Sequence, residues 1–224
     1  MKRFLLFFLI ASLFAATPVQ AQMTKEQRKA RNEELKEQRK ELNRKASKDA
    51  RKQAKQMAKE GWKVTPGSLT LEKMIDRSML MLETYDETGY PTYIMGEAMS
   101  IGENYDAAKM QAVELAKQNA AGLIQTEITA LIENTVANKQ LSEDEAASVT
   151  ESVSASKNLI SQSMGRVVIA MEAYREKSNK NKEVIVRVAY NHNMAMESAK
   201  KIIRKDLEDK GNKLHEQLDK VLGW

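Results

Sequence analysis

Residues 165–190 read GRVVIAMEAYREKSNKNKEVIVRVAY, and this stretch decides the fold. Val167, Ile169, Met171 and Ala173 alternate with Arg166, Val168, Ala170 and Glu172. The polar run Ser178-Asn179-Lys180-Asn181-Lys182 follows. Val184, Val186, Val188 and Tyr190 then alternate again. Two runs of period 2 joined by a polar turn predict an antiparallel hairpin.

Upstream, Thr92 to Ile101 also alternates. Tyr93, Met95, Met99 and Ile101 fall on one side, with Thr92, Ile94, Gly96, Ala98 and Ser100 on the other. This is a third strand, ending at Gly102. Asn104 caps a helix predicted from Tyr105 to about Asn138. Its face carries Ala108, Ala112, Leu115, Ala116, Ala120, Leu123, Ile124, Ile128 and Leu131. Alanine in its first half lets a helix lie close on a sheet. Ser142-Glu143-Asp144-Glu145 is a second N-cap with acids in the first turn, where the helix dipole favours them. A shorter polar helix runs on to about Lys157.

After the hairpin, Asn191 or Asn193 caps a last helix with Met194, Ala195, Ala199, Ile202, Ile203 and Leu207 apolar. Gly211 interrupts it, and Leu214, Leu218, Val221 and Leu222 carry a stripe to Trp224. Before the sheet, Gly61 is a C-cap candidate and Ser68 caps a helix from Leu69 to about Thr84. The expected fold is α+β: a small three-stranded antiparallel sheet in the order β-α-α-β-β-α, with helices on one face, preceded by a long charged N-terminal helix. The expected segments are a signal peptide (1–21), a basic charged helix or arm (22–60), a connecting loop and helix (61–91), the α+β domain (92–210) and a C-terminal helical extension (211–224).

The first segment sets the compartment. Lys2 and Arg3 precede an uncharged apolar run from Phe4 to Ala16. Pro18 breaks that run, and Val19-Gln20-Ala21 places small residues at −3 and −1 of a cleavage site after Ala21. This is the layout of a secretory signal peptide. Its apolar stretch of about 13 residues is short of the roughly 20 that a spanning helix needs. The chain is therefore expected to be periplasmic or secreted. There is no cysteine, which excludes disulfides, thiolate metal sites and a lipid-bearing lipoprotein cysteine.

Charge is divided unevenly. Residues 24–60 hold 14 Lys/Arg against 7 Asp/Glu, whereas residues 61–224 are net −4. The basic segment has no Pro or Gly and carries ion-pair spacings such as Glu41–Lys45, so it reads as one long helix or a disordered arm. Its apolar positions, including Ala30, Leu35, Leu42, Ala46, Ala50, Ala54 and Met57, form a stripe too thin to be stable without a partner surface. A coiled-coil pairing is one form such a partner takes. The candidate contacts with an anionic surface are Lys36, Arg39, Lys40, Arg44, Lys45, Lys48, Arg51, Lys52 and Lys55.

The residues offer little for catalysis. His192 and His215 stand 23 apart without ligand spacing. Nucleophile motifs such as GxSxG are absent, and so are glycine-rich phosphate loops. Acidic runs such as Glu143-Asp144-Glu145 read as solvated helix starts. The 13 methionines read as core gap fillers. No catalytic, cofactor or metal residue is expected, and no small-molecule substrate. Nucleic acid is not expected as a partner, since no aromatic residue interleaves residues 24–60.

Gly96-Glu97-Ala98, the run Asn104-Tyr105-Asp106-Ala107-Ala108-Lys109-Met110-Gln111-Ala112, and the pair Gly165–Ala170 and Val184–Ala189 together form a recognisable pattern. Over residues 92–190 the chain resembles the LPP-twenty-type envelope lipoproteins and the related N-terminal domain of the flagellar T-ring protein. It departs from the lipoproteins in lacking their cysteine. The resemblance implies an envelope location and a structural or protein–protein role, and it supplies no catalytic residues. The expected function is thus that of an exported, non-enzymatic envelope protein that meets an envelope partner or itself. The alternative is peripheral binding of anionic envelope surfaces, such as a membrane, through residues 24–60.

Overall fold

The structure, a computed structural model, describes residues 24–138 and 141–210 together with Leu214 and Leu218. The expected signal peptide and most of the expected C-terminal extension lie outside the described residues. The elements are α1 (Lys25–Asn43), α2 (Lys48–Lys59), α3 (Leu71–Leu82), β1 (Tyr93–Gly102), α4 (Tyr105–Ala137), α5 (Glu143–Ala155), α6 (Lys157–Ser163), β2 (Val168–Glu176), β3 (Lys182–Asn191) and α7 (His192–Asp209). The chain forms two compact units, residues 1–44 and 45–224.

In the second unit the fold is α+β. The hairpin forms as expected, and β3 lies between β1 and β2 in an antiparallel sheet ordered β1-β3-β2. Its turn closes with Lys180 in the left-handed region, φ +66°, and with the Asn181 amide donating to the Asn179 side chain at 3.2 Å. Pairing puts Gly96 opposite Val188 and Ala98 opposite Val186. One register shift falls between Ile169 and Met171. Ile169 therefore pairs with Val188 while Met171 pairs with Arg187, and the two residues face opposite sides of the sheet despite their spacing of two. Alternation along β2 predicts a shared face, and the extra residue Ala170 inverts it.

Helix α4 lies on one face. Ala108, Ala112 and Ala116 are fully buried against Val184, Val186 and Val188. The approach is so close that a Cβ on Gly96 would stand 1.9 Å from the Ala116 carbonyl oxygen. The glycine and the alanines are needed together, since either bulk would force helix and sheet apart. At 33 residues α4 is about 50 Å long and outruns the sheet. Its second half turns Ile124, Ile128 and Ile132 into a helical core with Val149, Val153, Ile160, Ile203 and Leu207, which Leu214 and Leu218 join.

The expectation that helices cover one face only is corrected. Met171, Ala173 and Ile185 point to the other face, and α2 and α3 bury them with Ala50, Ala54, Met57, Met74 and Ile75. The central strand is apolar on both sides, so a one-sided cover would leave this second row in water. Two further differences are local. Three helices, not two, separate β1 from β2, because the stretch beginning at the Ser142 capping box breaks at Ser156, whose hydroxyl donates to the Ser152 carbonyl at 2.7 Å. The third helix starts after Thr70 rather than Ser68, and the Ser68 hydroxyl instead meets that of Thr65 at 2.6 Å.

The basic segment is divided as well. It breaks after Asn43 and restarts at Ser47. The Ser47 hydroxyl accepts from the Ala50 amide at 3.2 Å, and its own amide donates to the Asp76 carboxylate at 2.9 Å. In α1 every described side chain is exposed. Helix α2 is instead part of the folded body.

Candidate functional site: the outer face of α2

The sequence of α2 is KDARKQAKQMAK. Taken at 100° per residue, Ala50, Ala54 and Met57 share one side, and all three are buried. Lys48, Lys52, Lys55 and Lys59 fall within an arc of about 60° centred on the opposite side. All four are exposed. None forms an ion pair among the described residues. Asp49 and Glu60 lie off this arc, so the stripe is purely cationic. From Lys48 to Lys59 it runs for about 16 Å at 1.5 Å per residue.

The helix is held firmly at its C-terminal end. The Gly61 amide donates to the Ala58 carbonyl at 3.1 Å and the Trp62 amide to the Met57 carbonyl at 3.0 Å, with Gly61 at φ +88°. This is a Schellman ending, and it turns Trp62 into the body. Trp62 is buried with the Arg175 guanidinium 4.5 Å from its ring centre. Arg175 also pairs with the buried Glu183 at 2.5 Å and donates to the Glu60 carbonyl at 3.3 Å. Lys63 then exchanges two backbone hydrogen bonds with Tyr174, at 2.7 and 2.8 Å, which covers part of the free edge of β2.

Beside the stripe, between α2, the Trp62–Val64 segment and the start of α3, lies an open cleft of about 390 Å³. Ala54, Ala58, Val64 and Leu71 give it an apolar lining. Arg51, Lys55 and Lys63 give it cations, against one acid, Glu72. Lys55 belongs to both stripe and cleft.

Of the nine cationic residues expected as contacts, the structure brings Lys48, Lys52 and Lys55 together. Arg51 is half-buried and donates to the Ala46 carbonyl at 3.2 Å, which turns it toward the cleft. Lys45 is exposed in the link before α2. Lys36, Arg39 and Lys40 lie on α1 and Arg44 just past it, in the other unit. The side chain of Arg39 is outside the described residues. Lys59 and Lys63 were missing from the expected set. The spacing 48, 52, 55, 59 would have revealed the first of them.

No protein-family model, curated protein or solved structure matches the chain. The candidate site therefore stands on its own geometry.

A second polar constellation sits at the start of α7. His192 is buried, and its Nε2 lies 2.7 Å from a Glu127 carboxylate oxygen on α4, while its Nδ1 is enclosed without a partner. The neighbouring cleft of about 330 Å³ is lined also by Tyr90, Asn193, Glu197 and Lys200. The pair ties the β3–α7 junction to α4. Among the described residues no group of three His, Asp or Glu side chains could hold a metal. His215 lies outside them.

The shifted carboxylates are structural. The Lys210 ammonium, 2.8 Å away, holds Asp206 below its ordinary range, and the carboxylate in turn raises the lysine. A hydrogen bond from Lys182 does the same to Glu176 at the hairpin end. Burial pushes Glu172 up. The methionines divide between core and surface: Met74, Met164 and Met171 are buried, while Met99, Met110 and Met194 are exposed.

Proposed function

We propose that this is an exported cell-envelope protein, periplasmic or secreted, that works without catalysis as a structural element contacting another envelope protein or a second copy of itself. Helix α1 carries this reading. It is 19 residues long, and every one of its described side chains, Ala30 and Leu35 included, is exposed. A helix of that length whose described side chains are all exposed is marginal in water and gains stability from a partner. Leu35 and Leu42 stand seven apart in the sequence, the repeat of a single coiled-coil position, and pairing through that position is the form this contact takes. The layout of residues 1–21 and the resemblance to envelope proteins over residues 92–190 support the compartment.

Cross-linking with mass spectrometry on intact cells tests the reading, alongside N-terminal sequencing of the accumulated protein. The expected result is a chain beginning at Gln22 with cross-links from Lys29 or Lys36 to one envelope protein or to another copy, lost when residues 24–44 are deleted. A chain that keeps residues 1–21 in the cytoplasm, or a strict monomer with no cross-link from α1, overturns it.

A further inference from the structure

Helix α2 poses a question that the contact role of α1 leaves open. Its inner side is committed to the body, so its outer side is held in a fixed orientation. On that outer side stand four lysines in one line, with no acid among them and no ion pair among the described residues. At i,i+4 within the helix, Asp49 and Glu60 have Gln53 and Gln56 as neighbours and not a lysine of the line. Here the acids are rotated off the line.

We propose that this lysine stripe and the cleft beside it form a docking surface for a membrane of anionic phospholipid. Charge complementarity selects a polyanion: four ammonium groups along about 16 Å present a straight positive edge. The cleft selects the kind of polyanion. Ala58, Val64 and Leu71 form an apolar recess directly against Lys55 and Lys63. The surface of a phospholipid bilayer, with phosphates above an apolar ester boundary, offers partners to both halves of that arrangement, whereas a polysaccharide or a nucleic-acid backbone satisfies only the charges. The stripe carries no aromatic platform for stacking bases. Binding is electrostatic docking of a preformed face, unlike the insertion of an amphipathic helix, because the apolar side of α2 is already occupied by Met74 and Ile75. The surface lies wholly within residues 45–224, which leaves α1 free for the contact proposed above.

This inference rests on the envelope reading for its biological setting, but its test does not depend on export. The whole chain is titrated with vesicles of phosphatidylcholine containing about 30% phosphatidylglycerol, and with pure phosphatidylcholine, at low and at about 0.5 M salt. Two variants remove the same charge from different places: Lys48→Gln/Lys52→Gln/Lys55→Gln/Lys59→Gln on α2 and Lys25→Gln/Lys29→Gln/Lys36→Gln/Lys40→Gln on α1. The expected result is binding to the anionic vesicles alone, abolished by high salt. The α2 variant should weaken it by at least about tenfold and the α1 variant by no more than about threefold. Ala58→Glu, at the exposed rim of the cleft, should weaken it while leaving thermal unfolding unchanged. Equal losses from the two quadruple variants would overturn the proposal, since net charge and not the stripe would then govern binding. So would binding of a soluble polyphosphate through the stripe with no binding of vesicles. Vesicle failure leaves the export and α1 cross-linking results untouched, so the two readings fail separately.

Discussion

Helices α1 and α2 come from one basic stretch and share strong helix formers, yet they differ in what they bury. In α1 every described side chain is exposed; in α2 Ala50, Ala54 and Met57 are buried against α3 and the sheet. The difference does not lie in helix propensity. It lies in the spacing of small residues. Ala46, Ala50 and Ala54 step by four and leave room for α3 to approach, whereas Ala30 and Leu35 step by five and drift around the helix. The lesson is that a charge-dense helix joins a fold through where its alanines fall, and its lysines are then aimed by the same spacing.

The comparison can be broken most forcefully at the anchor. Trp62→Ala removes the buried ring that ends α2 and supports Arg175. The expected loss of stability is about 3–5 kcal/mol in urea unfolding. If the loss is under about 1 kcal/mol, α2 is not tied to the body through Trp62. Next comes a paired substitution. Ala50→Asp places an unpaired charge in a fully buried position and should cost about 3 kcal/mol or more, while Ala30→Asp in α1 should stay within about 0.5 kcal/mol. Equal effects would erase the distinction between the two helices.

Ser47→Ala sharpens where the division falls. Loss of the cap should cost about 1 kcal/mol, read as a shift in thermal midpoint, and Ser47→Gly only a few tenths. The smallest effect is expected on the outer face. Lys52→Gln should alter stability by no more than about 0.5 kcal/mol, because its ammonium has no partner to lose among the described residues. A larger loss would mean that the stripe stabilises the fold and is not simply presented by it.

Much of this architecture was legible in the sequence, and the failures share a cause. The hairpin, β1 and α4 were readable because alternation and the 3.6-residue period are properties of consecutive residues. Asn104, Ser142 and Asn191 were readable as caps because each bonds an amide three residues on. Features that depend on distant residues were not readable. Ser47 restarts a helix with help from Asp76, which is 29 residues away. The His192–Glu127 pair joins positions 65 apart. The bulge at Ala170 inverts β2 through its pairing with β3 rather than through its own side chain. The second cover of the sheet could have been inferred from Ile185, whose apolar side chain sits between Val184 and Val186 and must face away from both. At the candidate site, reading residues 24–60 as one basic arm gathered nine cations. Only a helix phase fixed by Ala50, Ala54 and Met57 separates the three of them that stand in line from the rest.

Helix α2 belongs to the folded body, whereas the described side chains of α1 do not share its burial. Native-state amide hydrogen exchange measures this residue by residue. The amides of Ala54 and Met57 should exchange with protection close to that of Val186 in β3, and amides from Arg31 to Lys36 in α1 should exchange orders of magnitude faster. A single level of protection running unbroken from residue 31 to residue 57 would contradict it, and so would exchange in α2 as fast as in α1.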